Sequence, residues 1–568
     1  MTPFVALCRP LVSRRAPKQD QPVTDGGENA RRRNEKRLNS WKEIAAFLQK
    51  DVRTVQRWEK NERLPVHRKP HDKLSSVYAY ESELEAWWGQ GSHPAAAFSQ
   101  AVKSASDRIA LAVLPLRNLS GDPAQEYFSD GLTEELIGQL ARIDPDNLGI
   151  IARASAMKYK ESSKGISQIA RELGVTYLLE GSVRRDGDRV RISAALIRAS
   201  DQTGLWTDTY EHDLRDVLKL QAEVAEAVAK EIALKVSSGE RARLARSGPV
   251  DPEAFSAYLR GRYLWNRRAP DALQKAIQCF QESIAHAPDY APAHAGIADC
   301  YAILSSAHVG LLPPIEGMPR AIAAAEKALQ LDPELADAHA SLGNARLRYE
   351  FDWSGAEHSL KRALELNPAY APALQWHSSL LQTIDRIDES LTELDHALEV
   401  DPFSLIIRST VAATLYLERR YEQVIEASRR IIELDPTFVL IYFNLGRAYT
   451  QMKRHREAIA ELKKARKLSG ESPAMTMQLG YAYAMAGKAA EAKKMLASLA
   501  RLARKRYVPS FYWVAIHTGL RDIPKALEYL KKAREERCDY LVHLSKEPAA
   551  DPIRNTPEFA HLVPRPSH

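Results

Sequence analysis

Residues 445–449 read Leu-Gly-Arg-Ala-Tyr and residues 479–483 read Leu-Gly-Tyr-Ala-Tyr, so one pattern returns after 34 positions. Prolines recur with a similar spacing, at intervals of 34 to 37 residues after a first interval of 45. Their positions are Pro288, Pro333, Pro368, Pro402, Pro436, Pro473 and Pro509. A period of this length is typical of stacked helix pairs. The sequence therefore predicts an α-solenoid over residues 250–545.

The pair Leu342-Gly343 repeats the Leu-Gly step in an earlier unit, and Ala458, Leu462 and Ala465 share their spacing with residues 492, 496 and 499. This pattern resembles the tetratricopeptide repeat (TPR), and we count about eight repeats. The resemblance implies that the periodic Leu, Ala and Tyr residues form the core and that the concave groove binds a protein or peptide. The long first interval predicts a loop around residues 305–319.

A second pattern lies near the N-terminus. Ser40-Trp-Lys-Glu43 has the spacing of a capping box and predicts a helix over about 41–49, followed by a turn and a second helix over 52–60. One face of the second helix carries long hydrogen-bond donors, as a helix in the major groove of DNA requires. These residues are Arg53, Gln56, Arg57 and Lys60, with Thr54 as a further phosphate contact.

Residues 65–80 predict a two-stranded ribbon with a basic tip. Together with the helices, residues 38–90 resemble the winged helix-turn-helix of excisionase and MerR-type DNA-binding domains. The resemblance implies that Arg53, Thr54, Gln56 and Arg57 meet the groove and that Arg68, Lys69 and Lys73 meet phosphates. His67 and His71 have a spacing that suits a metal, but no third ligand is near them, so we predict no metal site.

The charge distribution favours a polyanionic partner for this segment alone. Residues 31–73 contain 14 Lys or Arg and 6 Asp or Glu, a local charge of +8 within a net charge of +7. Basic side chains neutralise phosphates only where they contact them, so a positive charge confined to one segment indicates a polyanion bound there. The partner that we predict is double-stranded DNA. The chain has 4 cysteines and no C-x-x-C pair, which favours a reducing, cytoplasmic location over export. No apolar run is long enough to cross a membrane, so we expect no membrane partner.

Between these parts, residues 108–245 alternate β-rich and helical runs, which predicts an α/β sandwich. The motifs Tyr127-Phe128-x-Asp130-Gly131 and Tyr177-Leu-Leu-Glu-Gly-Ser-Val183 resemble the TolB-like domain, a family without a settled activity that could be transferred. Glu134 and Glu135 are candidate carboxylates, but we interpret them as acidic residues at the start of a helix. We predict no catalytic residues and no cofactor, because no glycine-rich phosphate loop or zinc motif occurs.

The fold class that we predict is multidomain and mainly α. Its parts are a disordered basic arm at 1–37, the winged helix-turn-helix at 38–90, a linker at 91–107, the TolB-like α/β domain at 108–245, the TPR array at 250–545 and a C-terminal cap or tail at 546–568. The function that the sequence favours is a bacterial DNA-binding transcription regulator, expected to be a homodimer. The alternatives are a TPR scaffold that never binds DNA and, third, an enzyme or nucleotide-sensing signalling protein.

Overall fold

The computed structural model divides the chain into two compact units, residues 1–104 and 105–568. It describes residues 37–38, 40–47, 55, 59, 64–68, 77–80, 83–84, 108–145, 147–232, 234, 249–306, 310–470 and 472–565. The architecture is multidomain and mainly helical, with a TPR-like solenoid and a small sheet domain, as the sequence predicted.

The first unit contains a three-stranded antiparallel sheet and a helix. The elements are β1 (Arg37–Leu38), α1 (Trp41–Phe47), β2 (His67–Arg68) and β3 (Val77–Tyr80), with β3 in the centre of the sheet. At the start of α1 the Glu43 amide donates to Ser40 Oγ over 3.2 Å, which is half of the predicted capping box. Ile44, Val55 and Leu84 are fully buried and form the core of this unit.

The second unit begins with a mixed sheet of order β6-β4-β7-β8-β9, with β5 beside β7. The strands are β4 (Ile109–Val113), β5 (Arg117–Asn118), β6 (Leu148–Ile150), β7 (Tyr177–Asp186), β8 (Arg189–Arg198) and β9 (Gly204–Asp213). A hairpin joins β7 and β8 through Gly187, whose φ of 60° suits a tight turn. The sequence did not predict β9, because this edge strand is largely exposed and carries no clear alternation of apolar residues.

The sheet packs against helices on both faces. These helices are α2 (Glu126–Leu140), α3 (Arg153–Ala156), α4 (Ile166–Leu173) and α5 (Val217–Glu231). Leu132 and Leu136 of α2 and Val224 of α5 are buried in one core, while Ile169 and Leu173 of α4 belong to a second core on the opposite face. The result is the α/β domain, residues 108–234.

The residues between 252 and 535 that the structure describes form eight helix pairs, which we call the array. Its helices are α6 (Pro252–Trp265), α7 (Pro270–His286), α8 (Ala291–Leu304), α9 (Pro314–Leu331), α10 (Ala336–Ala345), α11 (Trp353–Leu366), α12 (Ala371–Thr383), α13 (Ile387–Val400), α14 (Leu405–Leu417), α15 (Tyr421–Leu434), α16 (Val439–Gln451), α17 (His455–Leu468), α18 (Pro473–Met485), α19 (Ala489–Ala503), α20 (Phe511–Gly519) and α21 (Ile523–Glu535). The insertion predicted as a loop over 305–319 is shorter, because its second part is the first turn of α9.

The turn inside each helix pair follows a strict period. From the third pair to the eighth, one residue in the turn after the first helix has φ between 58° and 72°, and it recurs at every 34th position. These residues are Phe351, Asp385, Arg419, Lys453, Gly487 and Arg521. A left-handed residue at this point reverses the chain so that the second helix packs against the first. Only one of the six is glycine, so the sequence alone did not reveal this period.

Candidate functional site

The α/β domain docks onto the first helix of the array through a close helix crossing. Gly131 of α2 lies against Leu259 of α6, and a Cβ on residue 131 would stand 2.7 Å from Leu259 Cδ2. Phe255 and Tyr258 of α6 join the same buried cluster as Leu132 and other core residues of the α/β domain. The two parts therefore share one hydrophobic core at this contact.

Beside the crossing lies a buried ion pair between α2 and α6. The Nε and Nη2 of Arg262 both donate to Glu134 Oε1, and Asn266 Nδ2 donates to Oε2 over 2.8 Å. Arg153 approaches the same carboxylate, with its Nε 3.3 Å from Oε2. Burial opposes ionisation of Glu134, but Arg262 and Arg153 outweigh it and hold its pKa below the ordinary value.

This pair corrects our interpretation of the two glutamates. Glu134 and Glu135 lie in the middle of α2, which begins at Glu126, so the charge at a helix start does not explain them. Glu135 accepts a hydrogen bond from the Tyr258 hydroxyl over 2.9 Å, and burial raises its pKa. Both glutamates therefore connect the α/β domain to the array.

A second contact joins α3 to the turn between α13 and α14. The Ser155 hydroxyl donates to Asp401 Oδ1 and accepts from the Phe403 amide over 2.9 Å. The Ala152 amide donates to the Val400 carbonyl over 2.7 Å, and Lys158 Nζ lies 4.6 Å from the centre of the Phe403 ring. The α/β domain thus spans the array from its first helix pair to the junction of its fourth and fifth pairs.

The residues after α21 run along the inner helices of the array, and we call residues 539–554 the C-terminal segment. Glu547 is 8% exposed and accepts hydrogen bonds from Arg447 over 2.6 Å and from the Tyr416 hydroxyl over 3.1 Å. Lys546 pairs with Asp385 over 2.6 Å. A short helix, α22 (Pro557–Leu562), then packs its buried Phe559 into the core of the last pairs. The segment therefore occupies part of the groove that we predicted to bind a protein or peptide.

These contacts enclose a cavity of about 1070 Å³. Its walls are α2 and α3 of the α/β domain, the first helices of the first six array pairs and the C-terminal segment. The sequence analysis did not identify the arginines that line the cavity. Three of them belong to the inward side of the array, namely Arg262, Arg348 and Arg447, and Arg348 lies in the turn Arg346–Glu350 after α10. Arg142, Arg153 and Arg268 also line the cavity.

The two ends of the cavity differ in electrostatics. At the end beside α6, burial raises the pKa of Asp299 to about 6 and also raises the pKa of Asp337. Ser341 donates a hydrogen bond to Asp299, and Arg262 lies 3.6 Å from it. At the other end the neighbours of His543 are cations. Among the described residues no group of His, Cys, Asp and Glu has the arrangement of a metal site.

Most residues of the predicted DNA-binding site lie outside the residues that the structure describes. They are Arg53, Thr54, Gln56, Arg57, Lys60, Lys69 and Lys73. Arg68 is described, lies on β2 and donates from Nη2 to Glu59 Oε1 over 2.7 Å. His67, which we did not assign to a metal, stacks on Tyr78 and has its Nε2 2.5 Å from Glu83 Oε2.

Comparison with known proteins assigns two segments. Residues 106–227 match the family model of the HilA/YgeH-like transcriptional regulator, second domain, and residues 428–460 match a tetratricopeptide repeat. The protein "Putative adenylate cyclase 3" of Rhizobium meliloti (strain 1021) is 37% identical over 188 residues, 33% of this chain and 32% of that protein. "Transcriptional regulator HilA" of Salmonella typhimurium is 22% identical over 295 residues, 51% of each chain. The chain thus spans a third to a half of these curated relatives.

Solved structures of repeat proteins are similar to parts of the chain. A tetratricopeptide repeat protein from Parabacteroides merdae has a TM-score of 0.33 at 14% identity, covering 44% of this chain and 93% of that one. No described helix is long and apolar enough to cross a membrane. The resemblance of residues 108–245 to TolB-like domains stays a prediction. The chain therefore carries a domain like the second domain of HilA/YgeH-like transcriptional regulators, followed by tetratricopeptide repeats.

Proposed function

We propose that this chain is a DNA-binding transcription regulator in which the α/β domain and the array form the sensing part. The observation that carries the proposal is the match of residues 106–227 to the HilA/YgeH-like regulator domain. The similarity to the Salmonella regulator over 295 residues supports it. A bacterial protein that binds genomic DNA works in the cytoplasm, and the proposal assigns no catalytic activity to the chain.

The first unit has features that suit it to DNA. The helix α1 is capped by Ser40, and β2 and β3 pair antiparallel, with His67 opposite Tyr78. The local charge of +8 over residues 31–73 favours phosphate binding through release of counterions. These features are those of the winged helix-turn-helix that the sequence resembles, and we propose that arrangement for residues 38–90.

Within this domain the residues divide by role. We propose that Arg53, Gln56 and Arg57 contact base edges in the major groove, because they share one face of the second helix that the sequence predicts. Lys60 ends the same predicted face and is assigned to phosphates, together with Thr54 and with Arg68, Lys69 and Lys73 of the ribbon. Since Arg68 is already bound to Glu59, we expect Lys69 and Lys73 to carry more of the ribbon's phosphate affinity.

A gel shift with random genomic fragments and a polyanion competitor tests the proposal. The full chain is expected to retain a subset of fragments in the presence of competitor, and a chain without residues 38–90 is expected to retain none. The variant Arg53→Ala/Arg57→Ala should lose this preference, at about 1 to 3 kcal/mol for each base contact. The control Lys493→Ala/Lys494→Ala removes the same charge from an exposed face of α19 and should bind as wild type.

The DNA-binding regulator and the TPR scaffold give different results in the same assay. If the full chain retains no fragments, the DNA proposal fails and the TPR scaffold replaces it. The basic segment would then serve an acidic protein partner. If the deletion retains the same fragments as the full chain, the assignment of DNA binding to residues 38–90 fails. If Lys69→Ala weakens all fragments alike while Gln56→Ala changes which fragments are retained, the division between phosphate and base contacts is supported.

A further inference from the structure

The cavity has the size and lining of a ligand site. Its volume of about 1070 Å³ is slightly above the range for small-molecule pockets, roughly 300 to 1000 Å³. The helix α12 lines it with Trp376, Ser379 and Gln382, which follow one another at intervals of three residues along one helix face. This face offers an aromatic surface next to polar groups.

Arg348 supplies hydrogen-bond donors that the protein does not use. Its Nε donates to Asn344 Oδ1 over 2.8 Å, and its Nη2 donates to Ser379 Oγ over 3.2 Å. A guanidinium has five N–H groups, so three remain, and no described acceptor takes them. The carboxylate that acts on it is Asp539, which is not within ion-pairing distance, and burial lowers the pKa of Arg348. The unused N–H groups form the fork that binds carboxylate or phosphate.

Nearby groups extend this end of the cavity without neutralising it. Gln382 is 5% exposed, and its Nε2 has no hydrogen-bond acceptor among the described residues. His543 Nε2 lies 3.1 Å from Ser379 Oγ. Burial, followed by the charge of Arg348 and two other cations, lowers the pKa of His543 to about 3, so the ring is neutral at pH 7.

Two other arginines of the cavity differ in this respect. Arg262 is paired with Glu134, and Arg447 is paired with Glu547. Each therefore has a buried carboxylate that satisfies its charge, whereas Arg348 does not. Arg348 is half-buried, and desolvation of a cation that lacks a carboxylate partner costs free energy unless an anion joins it.

We propose that this cavity binds a small organic anion, with its carboxylate or phosphate on Arg348 and Gln382 and its aromatic or apolar body against Trp376. The site lies between helices of the array and the C-terminal segment, which contributes His543. It does not depend on DNA binding by the first unit. Failure of the gel shift would therefore leave this proposal untouched.

Thermal unfolding of the full chain with three probes tests the site. Benzoate and phenyl phosphate carry the two anionic groups on one ring, and benzyl alcohol is a neutral match. At least one anion is expected to raise the unfolding temperature saturably, and benzyl alcohol is not. Stabilisation by benzoate alone identifies a carboxylate ligand, and stabilisation by phenyl phosphate alone identifies a phosphate ester. If neither anion exceeds benzyl alcohol, the proposal is overturned.

Variants place the effect at Arg348. Arg348→Met is expected to weaken the affinity for the anion at least tenfold. The control Arg430→Met removes an arginine with a 71% exposed side chain and is expected to keep the wild-type response. Gln382→Glu nearly preserves shape and supplies an internal carboxylate on the same helix face. It should abolish the response even if Arg348→Met fails to fold. An undiminished response in Gln382→Glu, or in a folded Arg348→Met, refutes the assignment.

Discussion

Removal of the Glu134 carboxylate should open the contact between the α/β domain and the array. The change Glu134→Ala leaves Arg262, which is 6% exposed, with only Asp299 at 3.6 Å and Asp337 at 3.9 Å. Loss of one partner from a buried ion pair costs about 3 to 5 kcal/mol. Because two other carboxylates stay near Arg262, we expect the lower end, about 3 kcal/mol.

Hydrogen exchange measured by mass spectrometry gives the free energy of local opening for α2 and α6. Both helices should exchange faster in Glu134→Ala by the factor that corresponds to about 3 kcal/mol. The control Glu426→Ala breaks an ion pair whose glutamate side chain is 68% exposed, and it should change exchange by less than about 1 kcal/mol. Equal effects of the two variants would contradict the conclusion that the ion pair between Glu134 and Arg262 holds the α/β domain on the array.

A double-mutant cycle separates the ion pair from other effects. Arg262→Met should destabilise the same helices. The double variant should lose about 1 to 3 kcal/mol less stability than the sum of the losses in the two single variants. Additive losses would refute direct coupling. The pH dependence follows from the lowered pKa of Glu134. Its stabilisation is complete above the unfolded value of about 4.3 and is lost as the pH falls through the lower folded value.

Three further outcomes are expected. Gly487→Ala should lower the free energy of unfolding by about 1 kcal/mol, because φ is 72° and the added Cβ meets nothing within 4 Å. Lys453→Gly at the equivalent turn should instead raise it by up to about 0.5 kcal/mol, and equal signs in urea titrations would contradict the role of backbone geometry. Burial raises the folded pKa of Asp299 to about 6, so the wild type should lose stability as the pH rises from about 4 to 6 and this buried acid ionises. Asp299→Asn cannot ionise, and its stability relative to wild type should therefore increase over the same range. A flat difference between melting curves at pH 4 and 7.5 would contradict this. Light scattering should find the full chain dimeric at micromolar concentration, and a monomer would contradict the predicted homodimer.

The helical array could be predicted because its signal is local and repeated. Each Leu-Gly pair marks a helix crossing, and in the structure a Cβ on Gly446 would lie 2.3 Å from Leu462 Cγ. The turns carry no such mark, because residues such as Lys453 and Arg419 adopt the left-handed conformation that glycine would adopt more readily. The sequence therefore indicates the period of the fold through the residues that pack at helix crossings, and the residues of the turns do not indicate it.

The cavity could not be predicted, because its partners are far apart along the chain. Glu134 and Arg262 are separated by 128 residues, and Ser379 and His543 by 164. Their meeting depends on how the α/β domain and the C-terminal segment dock, which no spacing encodes. A partial signal exists in α6, where Arg262 shares a helix face with Tyr258 and Trp265. A charge on an otherwise apolar face predicts a buried partner without identifying it.

The C-terminal segment limits what can bind to the inner helices of the array. A peptide that lies along α14 and α16 must displace this segment, because Glu547 accepts hydrogen bonds from Arg447 and from the Tyr416 hydroxyl there. That displacement leaves Arg447 buried without its carboxylate, at a cost of about 3 to 5 kcal/mol unless the peptide brings an acidic residue to the same place. A small anion at Arg348 requires no such exchange, since the N–H groups that it would use are not engaged by described residues. The contacts on the inner face therefore favour a small anion at Arg348 over a peptide that lacks an acidic residue for Arg447.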